Sequence, residues 1–139
     1  MDVKDIETLG PWTTHIETME KALAANDADE SIRAWRQAYS AALSHPSWLG
    51  LFTVATASLR VGTLPSLARN AAALARETYW IAFFRARQQR SLAGVQRTAK
   101  AFAMLGDCDA AERCVRVAEA LESSASDAAG STAAHSHCP

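Results

Sequence analysis

Apolar residues return every three or four positions along most of this chain. In segment 101–121, AFAMLGDCDAAERCVRVAEAL, Phe102 and Leu105 close one apolar face. Gly106 interrupts it, Asp107 restarts it, and Ala110, Cys114, Val117 and Leu121 follow on one helical stripe. Two helices joined by a tight corner are predicted there. A first helix is predicted over 14–25, where Thr14 and Glu17 form a capping box and Trp12, Ile16, Met19 and Leu23 share a stripe. Asn26-Asp27 makes the next corner, and a second helix over 28–43 presents Ile32, Trp35, Tyr39 and Leu43 inward. A residue before proline avoids the helical region, so His45-Pro46-Ser47 reads as a corner.

A third helix is predicted over 47–61, with Gly62 as a left-handed C-terminal cap. A fourth opens at Thr63-Leu64-Pro65 and reaches Gln89. Its segment 79–84, YWIAFF, is apolar on every side, which implies complete burial or a bend. A fifth helix covers 91–105, with Leu92, Val95, Ala99, Phe102 and Leu105 inward, and a sixth covers 108–122. No run of alternating β-formers is present, so the fold class expected is all-α, with about six helices and no sheet.

The 139 residues contain 49% hydrophobic residues but only 6 Gly and 4 Pro, which fits one folded domain. That domain is expected over 12–122, after an acidic leader at 1–11. The stretch 123–139, SSASDAAGSTAAHSHCP, is small, polar and aperiodic, and reads as a disordered tail. The acidic N-terminus has no charged-then-apolar leader, so a cytoplasmic protein is expected. Residues 37–59 carry no formal charge, but Pro46 lies mid-run among Ser, Thr and Gly; two buried helices explain them better than a membrane span. Three scattered cysteines do not look like a disulfide framework. Cys114 falls on the apolar stripe, and Cys108 sits in a helix's first turn, where flanking Asp107 and Asp109 oppose thiolate formation.

The corners Asn26-Asp27, Gly62-Thr63 and Gly106-Asp107 stand 36 and then 44 residues apart, the range of helical-hairpin repeats. Ala101-Phe102, Leu105-Gly106-Asp107, Asp109, Ala111 and Ala118 resemble the second half of helix A, the corner and helix B of a tetratricopeptide repeat. Asp27, Asp29, Glu30, Ser31, Trp35 and Ala38 resemble the same helix B. The resemblance implies a right-handed superhelix of three units, near 12–45, 48–81 and 92–125. It departs from the family in the middle unit, where Leu67 and Leu74 replace small residues. The usual helix A tryptophan is missing from all three units, and about ten extra residues separate the last two.

Charge is distributed unevenly. Residues 1–30 hold 8 acids and 2 bases, residues 31–100 hold 10 bases and only Glu77, and residues 101–139 hold 6 acids and 2 bases. The acidic ends could neutralise the basic middle within one fold or across a homodimer. The basic middle could also attract an acidic protein or peptide, or it could grip nucleic acid through phosphate and stacking contacts. An overall pI near 6.4 weighs against the last.

The tetratricopeptide resemblance implies a concave groove lined by the first helix of each unit. Its matching positions are Ile16, Glu20 and Leu23; Leu49, Phe52, Thr56 and Arg60; and Gln96, Lys100 and Met104, with Arg97 beside them. Apolar anchors with a basic rim suit an extended or helical peptide carrying apolar residues and some acid. Family members that clamp a C-terminal carboxylate use helix A positions occupied here by Ile16, Glu20, Thr53 and Ala93, with only Arg97 fitting. That clamp is not expected.

No glycine-rich phosphate loop, HExxH or CxxC is present, so neither enzyme chemistry nor a cofactor is expected. Asp107 and Asp109 sit where a helix start favours caps and first-turn acids. His135, His137 and Cys138 could ligate zinc or copper but lack a fourth partner. The expected role is therefore an adaptor or chaperone binding protein, with no membrane segment. The alternative is a regulatory or nucleic-acid-binding helical protein using the basic segment 69–100.

Overall fold

The computed structural model describes residues 10–126, with side chains described through residue 124. Six helices follow one another: α1 (Thr13–Ala24), α2 (Ala28–Ser44), α3 (Trp48–Val61), α4 (Ala68–Gln88), α5 (Leu92–Met104) and α6 (Cys108–Ser126). No strand occurs among the described residues. The chain is all-α. Consecutive helices pack as three antiparallel-type hairpins, α1–α2, α3–α4 and α5–α6, and each hairpin packs on the next through α2–α3 and α4–α5. The starting helices α1, α3 and α5 also touch in succession.

Three corners share one stereochemistry. Asn26 (φ 56°), Arg90 (φ 55°) and Gly106 (φ 81°) are left-handed, and each is followed by an N-cap residue. The amides of Asp27, Ser91 and Asp107 reach back to the carbonyls of Ala22, Ala86 and Phe102 at 2.9, 2.8 and 2.9 Å, ending the preceding helix in a Schellman turn. Their side chains then accept from Glu30, Gly94 and Ala110 amides at 3.1, 3.1 and 3.2 Å, starting the next helix. Asn and Gly suit the left-handed region, whereas Arg90 adopts it at a steric cost.

Gly62 departs from its expected role. Its φ is −67°, so it is right-handed, and the chain continues through turns until α4 begins at Ala68. Pro65 therefore lies three residues outside the helix rather than in its first turn. Residues 79–84 do lie in unbroken helix, but burial is one-sided: Tyr79, Ala82 and Phe83 are buried while Phe84 is 49% exposed. Leu43, expected inward, is exposed, and α6 continues through residues 123–126.

The core has two parts. Trp12, Ile16, Met19, Trp35, Leu51, Val54 and Val61 fill the first, beneath α1–α3. Gly50 makes room there, since a Cβ would lie 2.5 Å from the Trp12 ring. The second part, under α4–α6, packs Tyr79, Phe83, Val95, Phe102 and Cys114 against many alanines, which let the helix backbones approach. Buried Ser31, Ser58, Thr78 and Thr98 each donate to a carbonyl three or four residues earlier, so their hydroxyls are satisfied within their own helices.

Candidate functional site

Helices α3 and α5 flank a depression of about 480 Å³ whose floor is closed by Tyr79 from α4. Five residues predicted for the groove converge on it: Phe52, Thr56, Arg97, Lys100 and Met104. Spacing explains why. Phe52 and Thr56 are one turn apart on α3, and Lys100 and Met104 are one turn apart on α5. Leu59, Tyr79, Ala101 and Leu105 complete the lining. Leu59 was legible as the next position on the Phe52–Thr56 face. Tyr79 was not, because an all-round apolar segment gives no direction.

Aromatic contacts brace the floor. Phe52 lies 5.4 Å from Tyr79 and 6.0 Å from Trp48, and Tyr79 lies 6.0 Å from Phe102. The Thr56 and Tyr79 hydroxyls share a hydrogen bond of 2.8 Å. Burial pushes the Tyr79 phenol up from its usual range, and the Thr56 contact partly opposes this. The floor is thus neutral at ordinary pH. Met104 is 83% exposed at the rim, the most open large apolar side chain among the described residues.

The rim carries the charge. Arg97 rests over the Trp48 ring with its guanidinium carbon 5.8 Å from the centroid, a cation–π contact that holds it beside the depression. Lys100 is exposed and makes no hydrogen bond or ion pair with a described residue. No acid lines this depression among the described residues.

The remaining predicted positions do other things. Leu49 is half-buried, with its amide held by the Ser47 hydroxyl at 3.1 Å. Arg60 pairs with Glu20 at 2.9 Å, and Gln96 donates to Glu122 at 3.1 Å. Neither Leu49, Arg60 nor Gln96 lines the depression. Ile16 is a core residue, and Leu23 is half-buried against the first core.

Most of the basic segment is engaged elsewhere. Arg85 donates to the Ala42, Leu43 and His45 carbonyls at 3.1, 2.6 and 2.5 Å, and Gln89 donates to Pro46 at 2.5 Å. Arg76 contacts Asp107 at 3.1 Å while Asp107 caps α6. Arg90 reaches the Ser124 hydroxyl, and Arg87 lies over Phe83 and Phe84.

A second, wider groove of about 1200 Å³ runs between α2 and α4. Its charges are mixed: Asp29 and Glu77 accompany Arg33 and Arg36, and Arg33 already pairs with Glu30 at 2.6 Å. It offers no single polarity for recognising a ligand.

Nothing at these sites resembles a reacting constellation. Cys114 is free and fully buried, and burial pushes its thiol up to about 11. Cys108 is not free. No cluster of three or more His, Cys, Asp or Glu suited to a metal occurs among the described residues, and the His135–Cys138 cluster lies outside them. No described helix is long and apolar enough to cross a membrane. In comparison with known proteins, no family model, no curated protein and no solved structure matches this chain.

Proposed function

We propose that this chain is a non-enzymatic protein-interaction module, an adaptor or chaperone, whose α3–α5 groove takes a short acidic segment of another protein bearing an apolar anchor. One observation carries the reading: an apolar floor and Met104 stand beside Arg97 and Lys100, with no acid among the described residues of the lining. An apolar side chain seated over Phe52 and Tyr79 would lose water, while a neighbouring carboxylate would meet Lys100 without having to displace a partner among the described residues.

Within this proposal, the three hairpins packed in chain order are read as a helical-repeat architecture of tetratricopeptide type, with the groove on the side of the starting helices. The superhelical form is part of the proposal. The nucleic-acid alternative has less support, because Arg76 and Arg85 hold other parts of the fold and Arg87 and Arg90 have their own contacts.

A fluorescence-anisotropy screen tests this. Peptides with one fixed Leu or Phe are paired with Asp/Glu, Asn/Gln or Lys/Arg neighbours and titrated against the full chain. Acid-flanked peptides should bind, weaken with salt, and weaken about tenfold or more on Lys100→Glu, which reverses the rim's charge. Equal binding of acidic, neutral and basic sets would overturn the proposal. Oligothymidylate binding at low salt, without peptide binding, would move the function to the alternative.

A further inference from the structure

Met104 combines three properties that no other described methionine shares. It is 83% exposed, it lines the groove, and it follows Lys100 by one helical turn. The remaining described methionine, Met19, is fully buried in the first core.

We propose that Met104 is an oxidation site that lowers the groove's affinity, its thioether being converted to the sulfoxide by a hydroperoxide such as hydrogen peroxide. The proposal rests on the groove reading above. The sulfur lone pair attacks the terminal peroxide oxygen, the O–O bond breaks as the S–O bond forms, and a proton shift releases water. Sulfur loses two electrons and peroxide gains them.

Accessibility makes the reaction selective. Peroxide reaches the Met104 sulfur from solvent, whereas Met19 is shielded by packing. Cys114 is both buried and held as the less reactive thiol, and Cys108 is not free.

The product changes both components of the site. A flexible apolar rim residue becomes a strongly polar one, so a partner's apolar anchor loses a contact surface. The sulfoxide oxygen is also an acceptor one turn from the Lys100 ammonium, which has no competing partner among the described residues. A hydrogen bond between them would hold the ammonium away from a carboxylate on the ligand. Apolar contact and cationic attraction would both weaken.

The test uses the full chain and anilinonaphthalenesulfonate, an apolar anion with the chemistry proposed for the ligand. Brief peroxide treatment is followed by peptide mapping and dye titration. Met104 should gain one oxygen before Met19, and the treated chain should bind the dye about tenfold more weakly, the scale of one lost favourable contact. Met104→Leu should bind the dye equally with and without peroxide treatment, while Met104→Gln should bind weakly without it. Dye binding by the untreated chain that is insensitive to Lys100→Glu removes the groove reading, and the switch with it. Sensitive binding that survives Met104 oxidation sinks the switch alone, as would oxidation of Met19 before Met104.

Discussion

Arg85 and Lys100 come from the same basic stretch and end in opposite circumstances. Arg85 lies against the end of α2, where its guanidinium donates to three carbonyls and Gln89 donates to a fourth, that of Pro46. Lys100 stands on the rim of the α3–α5 groove with no described partner. The difference teaches how to read a basic block. Its net charge states how many cations exist, but only geometry separates those that close the ends of helices from those available to a ligand. The last carbonyls of a helix have no intrahelical donors, and a planar fork of donors satisfies several together. An ammonium on an open helix face has no such task.

The largest expected effect follows at Arg85. Arg85→Ala leaves the Leu43 and His45 carbonyls to water and removes the cation from the negative end of α2. The loss should be about 2–4 kcal/mol of unfolding free energy, from several charge-assisted hydrogen bonds that are not additive. Urea denaturation measures it. Arg85→Lys should recover only part, because a point charge replaces the fork. A loss below about 0.5 kcal/mol in the Ala variant, the range of an ordinary surface change, would erase the contrast.

Arg76 occupies the middle of the scale. Its Nε contacts Asp107 at 3.1 Å, and both side chains are partly exposed, at 42% and 24%. Solvent screening limits the pair, so Arg76→Ala should cost about 0.5–1 kcal/mol. Asp107→Ala should cost more, since it also removes the cap on the Ala110 amide. If the two substitutions cost the same, Asp107 would be acting through the ion pair alone, and double-mutant urea titrations would show full coupling.

These contacts mark what the sequence could and could not disclose. Periodicity located all six helices, because each buries an apolar stripe and the caps at Asp27 and Asp107 have recognisable side chains. The break between Gln89 and Ser91 was read, but its left-handed geometry was hidden, since arginine carries no left-handed preference even though Ser91 caps α5 as the aspartates cap theirs. Gly62-Thr63 misled for the reverse reason: a glycine suited to a left-handed cap is right-handed here. Arg85 was illegible because its partners are backbone carbonyls about 40 residues away, which leave no side-chain signature. Within the groove, positions one turn apart on α3 and α5 were readable. The pairing of Arg60 with Glu20 and of Gln96 with Glu122 depended on how neighbouring helices meet.

The smallest stability effect belongs to Lys100, and there a null result in one measurement is informative. Lys100→Ala removes no hydrogen bond and no ion pair with a described residue, so its unfolding free energy should stay within about 0.5 kcal/mol of wild type. The same substitution should weaken the acid-flanked peptides and flatten their salt dependence, because one cation facing the ligand is gone. Affinity and stability should therefore separate at Lys100, whereas Arg85→Ala should change stability while leaving peptide affinity unchanged in the folded fraction. If Lys100→Ala destabilised the fold as Arg85→Ala does, both cations would be structural. The groove would then lose the feature proposed to give it a preference for acid.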